Sequence, residues 1–82
     1  MLCGVQIRAA RGALHWSADD LAVQSGVASR TIVRLEQHDG LPPSRSSTLM
    51  DLRRAFEAAG IEFIGGPDDA PGIRVHAPRA AT

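Results

Sequence analysis

Apolar residues recur at helical spacing in four stretches of the chain. Ile7, Ala10 and Leu14, for example, follow one another at three and four residues, which is the stripe of an amphipathic helix. Serines precede several of these stretches and glycines follow them, as expected for helix caps. The predicted helices run from about Gly4 to Leu14, from Ser17 to Gly26, from Ala28 or Ser29 to about Gln37, and from a cap at Ser46 or Ser47 to Gly60.

The pattern changes after Gly60. Residues 61–64 and 73–76 alternate apolar and polar positions, and a turn-rich connection separates them, which predicts a β-hairpin. The expected fold is therefore mainly α, with a four-helix core in residues 1–60 and a C-terminal β-hairpin in residues 61–76. Residues 77–82 are expected to form a flexible tail.

Length and composition narrow the class of protein. The chain has 82 residues, enough for one small domain, and a catalytic pocket rarely fits in a domain of this size. Cys3 is the only cysteine, and the three histidines lack ligand spacing, so we expect no disulfide, no metal and no cofactor. The sequence shows no membrane-spanning stretch and no secretory leader, which favours a cytoplasmic binding module over an enzyme.

The charge is zero overall but unevenly distributed. All nine basic residues are arginines. Residues 26–54 carry five of them against three acids, whereas residues 55–82 carry two against four. Neutrality argues against strong non-specific binding to nucleic acid, because that affinity comes from neutralised phosphates. It is compatible with a specific binder whose positive charge lies on one face.

The second and third predicted helices are separated by only Gly26 and Val27, which favours a helix-turn-helix over an antiparallel pair. Ala22 precedes Gly26 by four residues, and Ile32 follows it by six. On a helical wheel, Ala28, Ile32, Leu35 and Glu36 share one face of the third helix, whereas Arg30, Val33, Arg34 and Gln37 lie on the other. The second set suits guanine edges, thymine methyl groups and phosphates.

Here the sequence resembles the Xre/Cro-type helix-turn-helix family, the lambda-repressor-like DNA-binding domains. The resemblance covers about residues 4–60. It rests on residues 8–14, 16–22, 25–27, 31–36 and 49–60 in their order and spacing.

The resemblance implies a role for each matching position. Ser29, Arg30, Val33 and Arg34 match the positions that meet base edges. Ser17, Thr31, Gln37, His38 and Arg45 are the expected phosphate contacts. Two positions depart from the family pattern: Ala18 often carries Gln in relatives, and Ala28 lacks the common Ser or Thr cap.

Arg11 and Glu36 each lie at the edge of the apolar stripe of their own helix. This position predicts a partly buried bidentate ion pair with a structural role, and the resemblance implies the same pairing. Trp16 is expected to pack in the core at the start of the second helix.

The expected function is a sequence-specific transcriptional regulator that binds a pseudo-palindromic double-stranded DNA operator as a homodimer. The apolar positions of the hairpin, Ile61, Phe63, Ile73 and Val75, are the predicted dimer contacts; the alternative is that the hairpin folds onto its own fourth helix. Regulation is expected to come from protein concentration, a regulatory partner protein or promoter architecture. The rival function is a DNA-binding antitoxin of a toxin–antitoxin pair, although the chain lacks a long disordered tail that could wrap a toxin.

Overall fold

A computed structural model describes residues 2–76, in which four helices precede a two-stranded antiparallel sheet. The helices are α1 (Gly4–Ala13), α2 (Ala18–Ser25), α3 (Ser29–Glu36) and α4 (Ser46–Ala58), and the strands are β1 (Ile61–Ile64) and β2 (Gly72–Val75). The predicted mainly α fold with a C-terminal hairpin is therefore confirmed. The predicted tail, residues 77–82, lies outside the described residues. Within residues 2–76, no helix has the length and hydrophobicity needed to cross a bilayer.

The ends of α2 follow the sequence prediction. Ser17 Oγ accepts from the backbone N–H of Asp20 at 3.0 Å, and Asp20 Oδ2 accepts from the backbone N–H of Ser17 at 2.9 Å. Gly26 ends the helix with φ +78°, a left-handed conformation that glycine adopts without strain. Local chemistry therefore fixes both ends of α2.

The start of α4 differs from the prediction. Arg45 occupies the N-cap position, and its side chain makes no capping hydrogen bond. Ser46 and Ser47 lie inside the first turn, so the predicted serine cap is wrong. The Arg45 carbonyl accepts from the backbone N–H groups of Thr48 and Leu49. Backbone hydrogen bonds and the burial of Leu49 therefore set this helix start.

The core is organised around Phe56 of α4. The Trp16 ring stacks on it at 5.8 Å between centroids, and the Phe63 ring meets it edge-on at 5.7 Å. Trp16 is thus partly buried and packs against the core, in agreement with its predicted structural role. Further fully buried apolar side chains come from the segment before α1, from all four helices and from β1: Leu2, Cys3, Ile7, Ala10, Leu21, Ile32, Leu35, Leu52 and Ile61.

The hairpin packs on this core through one face. Ile61 pairs with Val75 and Phe63 pairs with Ile73 across the two strands, so these four side chains point to the same side. Ile61 and Phe63 are only 2% and 8% exposed, and Ile73 packs against the core. The assignment of Ile61 and Phe63 as dimer contacts is thereby corrected, because the chain's own core already buries them. Val75 is 56% exposed.

Gln6 of α1 connects the hairpin to the helices. Its side chain is buried, and its Nε2 donates to the carbonyls of Ile64 and Gly72, both at 3.0 Å. Its Oε1 accepts from the backbone N–H of Cys3 at 2.9 Å. One side-chain amide thus satisfies a backbone N–H group at the start of α1 and one backbone carbonyl in each strand, next to the loop that joins the strands. The sequence analysis missed this role because a glutamine on a helix ordinarily faces solvent.

Replacing Gln6 with alanine is expected to lower the free energy of unfolding by about 2 kcal/mol, because the change removes three hydrogen bonds from a buried site. Urea denaturation followed by circular dichroism measures the loss. Gln24→Ala, on the exposed side of α2, is the matched control. A loss for Gln6→Ala within about 0.5 kcal/mol, as for an ordinary surface substitution, would contradict the connecting role.

Candidate nucleic-acid interface

A short turn joins α2 to α3. It consists of Gly26, Val27 and Ala28, one residue more than the sequence analysis assigned. Ser25 Oγ donates to the Leu21 carbonyl at 2.7 Å and accepts from the backbone N–H of Val27 at 3.1 Å. Val27 is buried. The side chain of Ser25 and the burial of Val27 therefore fix the path of the chain between the two helices.

The α3 helix has one buried and one exposed side. Ile32, Leu35 and Glu36 are buried, as predicted. Ala28 is exposed at the N-cap position, so its predicted place on the inward face is wrong: the helix begins one residue later. The exposed side carries the four residues that the helical wheel placed there: Arg30, Val33, Arg34 and Gln37.

The predicted pair of Arg11 and Glu36 is present and bidentate. Arg11 Nε lies 2.7 Å from Glu36 Oε2, and Arg11 Nη2 lies 2.8 Å from Oε1. Arg11 Nη1 also donates to the Trp16 carbonyl at 3.0 Å. The hydrogen bonds to the Glu36 carboxylate raise the pKa of Arg11 above its ordinary value. It connects α1 to the last turn of α3.

Residues 37–45, the α3–α4 loop, run beside the exposed side of α3. Arg34 Nη1 donates to the Pro43 carbonyl at 3.2 Å, which brings the loop next to the exposed side of the helix. Gln37, His38 and Arg45 in this loop are all exposed. Three predicted phosphate contacts thus lie on a segment that touches α3.

The arginines divide into two groups. Residues 2–76 contain eight arginines, and five of these lie within 4 Å of a carboxylate. The paired ones are Arg8 with Asp39, Arg11 with Glu36, Arg53 with Glu57, Arg54 with Asp51, and Arg74 with Glu62. Within the described part of the chain, the three without a carboxylate partner are Arg30, Arg34 and Arg45. These three are the arginines predicted to meet DNA.

The remaining predicted contacts lie at helix starts. Ser29 and Thr31, in the first turn of α3, are half-buried, whereas Ser17 precedes α2 and is exposed. Asp19 and Asp20 lie beside Ser17 in the exposed first turn of α2. These carboxylates would repel a phosphate, so Ser17 is the weakest of the predicted phosphate contacts.

Sequence reasoning missed a set of contacts between α1 and the α3–α4 loop. The backbone N–H of Gly4 donates to the Gly40 carbonyl at 2.9 Å, and that of Val5 donates to the Asp39 carbonyl at 3.3 Å. Arg8 donates to the Glu36 carbonyl and pairs with Asp39. Nothing in the periodicity of α1 signals these contacts, because they depend on where the loop returns.

Comparisons with protein-family models, with curated proteins and with solved structures give no significant match to the chain. Among residues 2–76, no cluster of three or more His, Cys, Asp or Glu side chains is placed to hold a metal ion. What can be said of function therefore depends on the chain's own residues and geometry.

Removing either partner of the Arg11–Glu36 pair is expected to destabilise the protein by about 1–3 kcal/mol, because the other charged group is left partly buried without its hydrogen-bonding counterion. The Glu36 side chain is 9% exposed and that of Arg11 28%, so Arg11→Ala should be the costlier change. Thermal melts of Arg11→Ala, Glu36→Ala and the double variant give the coupling energy. Losses that simply add would mean that the two residues are not coupled.

Proposed function

We propose that this protein is a sequence-specific DNA-binding transcriptional regulator in which α2 and α3 form a lambda-repressor-like helix-turn-helix and α3 is the recognition helix. The observation that carries the proposal is the division of the arginines. Those elsewhere in residues 2–76 have carboxylate partners, whereas Arg30, Arg34 and Arg45 on α3 and the adjoining loop have none.

This division matters because the chain has no net charge. A paired arginine must give up its carboxylate before it can neutralise a phosphate, whereas an arginine without a carboxylate partner keeps its full charge available. The unpaired cations therefore concentrate the attraction for DNA on one surface, although the total charge is zero. A neutral protein with such a surface binds DNA in one orientation and gains little from non-specific contact.

The chemistry of each exposed position on α3 supports base recognition. The guanidinium of Arg30 can donate two hydrogen bonds to the O6 and N7 atoms of guanine. Val33, which is 49% exposed, offers methyl groups to the C5 methyl of thymine. The Arg34 guanidinium and the Ser29 hydroxyl add further hydrogen-bond donors on the same helix.

The phosphate contacts are assigned to the flanking positions. Gln37, His38 and Arg45 on the α3–α4 loop, together with Thr31 and Ser17 at helix starts, would hold the protein on the DNA backbone. Such contacts fix the position of the recognition helix without reading the sequence.

Dimerisation is part of the proposal. One recognition helix covers few base pairs, whereas a two-fold dimer places two such helices about 34 Å apart, one turn of B-DNA. Since the core buries Ile61 and Phe63, the dimer contact would use the β2 side of the hairpin, where Val75 is exposed. A two-stranded sheet leaves strand edges that can pair with a second copy.

Arg30→Ala and Arg34→Ala are each expected to weaken specific binding by about 1–3 kcal/mol and to leave the melting temperature unchanged. A selection from random duplex DNA supplies the site, and fluorescence anisotropy measures the affinity. Arg54→Ala is the matched control, because it removes the same charge from a paired and exposed position on α4. Wild-type affinity in both α3 variants would rule out α3 as the recognition helix.

Val75→Lys is expected to weaken dimerisation by about tenfold or more, since it would bring a charge into an apolar contact. Sedimentation at several concentrations measures the dimer constant. Ile64→Lys, at the other end of the hairpin, is the control for a general effect of lysine. A Val75→Lys variant that dimerises like the wild type would exclude the β2 side of the hairpin as the interface.

A further inference from the structure

The contacts between α1 and the α3–α4 loop have a consequence for DNA binding. They hold the middle of the loop, at Asp39 and Gly40, against the first turn of α1. The predicted phosphate contacts Gln37 and His38 come just before this point, and Arg45 follows it. The position of all three therefore depends on how the loop meets α1.

Gly4 allows the loop to lie this close. A Cβ added at this position would lie 1.6 Å from the carbonyl oxygen of His38 and 2.7 Å from that of Leu35. Both neighbours are backbone atoms and cannot move aside as a flexible side chain would. Glycine is thus required here by contact with the loop, and not by its own conformation.

Arg8 adds a charged contact to the backbone ones. Its Nη2 lies 2.5 Å from Asp39 Oδ1, and its Nη1 donates to the carbonyl of Glu36 at the end of α3. The Asp39 side chain is 86% exposed and that of Arg8 39%. An ion pair this open to water contributes little to the stability of the fold. Together with the hydrogen bond to the Glu36 carbonyl, the pair nevertheless joins the loop to the end of α3 through one guanidinium.

We propose that Arg8 and Asp39 are positioning residues for DNA binding: their ion pair holds the α3–α4 loop so that Gln37, His38 and Arg45 meet phosphates together. The inference rests on the proposed function and deepens it. Neither residue touches DNA in this account. Arg34 shares in the arrangement, because the Pro43 carbonyl of the same loop accepts its hydrogen bond.

Asp39→Asn separates positioning from simple electrostatics by the sign of its effect. The variant removes a negative charge beside the proposed DNA surface and frees Arg8. If Arg8 contacted DNA directly, or if only charge mattered, the variant would bind more tightly. If the pair positions the loop, the variant binds more weakly in spite of its extra positive charge.

The experiment compares wild type, Asp39→Asn, Asp39→Glu and Asp51→Asn on the duplex selected by the wild-type chain. Affinity is measured by anisotropy over a range of salt concentrations. Asp51→Asn makes the same charge change in a pair that lies within α4, so it corrects for net charge. The logarithm of the binding constant falls linearly with the logarithm of the salt concentration, and each lost phosphate contact should make this slope shallower by about 0.9. A merely structural loss of folded protein would leave that slope unchanged.

We expect Asp39→Asn to bind several-fold more weakly with a shallower salt slope, and Asp39→Glu to restore both. Gly4→Ala is also expected to weaken binding and to make the salt slope shallower, without any change of charge. If this variant fails to fold, the Asp39 variants alone test the positioning role. Amide exchange in the free protein should show faster exchange of the Gly4 and Val5 N–H groups in Asp39→Asn.

Three results would overturn the inference. Tighter binding by Asp39→Asn would assign Arg8 to direct contact or to charge alone. Unchanged affinity and salt slope in Asp39→Asn would show that the Arg8–Asp39 pair has no role in DNA binding. A wild-type chain that selects no DNA sequence would remove the proposed function, and the positioning role with it, whatever the exchange measurement shows.

Discussion

The ion pair between Arg11 and Glu36 sets the orientation of α3. The Glu36 side chain is 9% exposed, and a carboxylate so far from water needs a counterion with matching geometry. Arg11 supplies it through two parallel hydrogen bonds and is itself held by the Trp16 carbonyl. Together with the buried Ile32 and Leu35, Glu36 turns one side of α3 toward the rest of the protein. Arg30, Val33 and Arg34 are left exposed to water.

Around this pair, α1 organises the rest of the molecule. Its first two turns hold the α3–α4 loop through Gly4 and Arg8, its buried Gln6 holds both strands of the hairpin, and its last turn carries Arg11. The side chains of Gln6, Arg8 and Arg11 are therefore all used in contacts within the chain. The unpaired cations of residues 2–76 lie instead on α3 and the α3–α4 loop. Whether a carboxylate lies within reach separates the paired arginines from the unpaired ones, and a net charge of zero conceals that separation.

The features predictable from sequence were those determined locally. The helices follow from apolar periodicity, the ends of α2 from Ser17 and Gly26, and the exposed side of α3 from the positions of Ile32 and Leu35. The predictions that failed concern features that depend on tertiary contacts. Ile61 and Phe63 alternate as a free hairpin would, but Phe56 of α4 and its neighbours cover them. Ser46 and Ser47 are good caps by composition, yet the backbone of Arg45 begins α4. Gln6, Gly4 and Arg8 act on segments far away in sequence, which no local pattern records.

The most direct test of the account is a titration of the isotope-labelled protein with its selected DNA duplex, followed by NMR. The largest chemical-shift changes should fall on α3 and the α3–α4 loop, with the guanidinium signals of Arg30, Arg34 and Arg45 among them. The signals of the paired Arg53, Arg54 and Arg74 should stay in place. Chemical-shift changes concentrated on α4 or on the outer face of the hairpin, with α3 unaffected, would contradict DNA binding through α3.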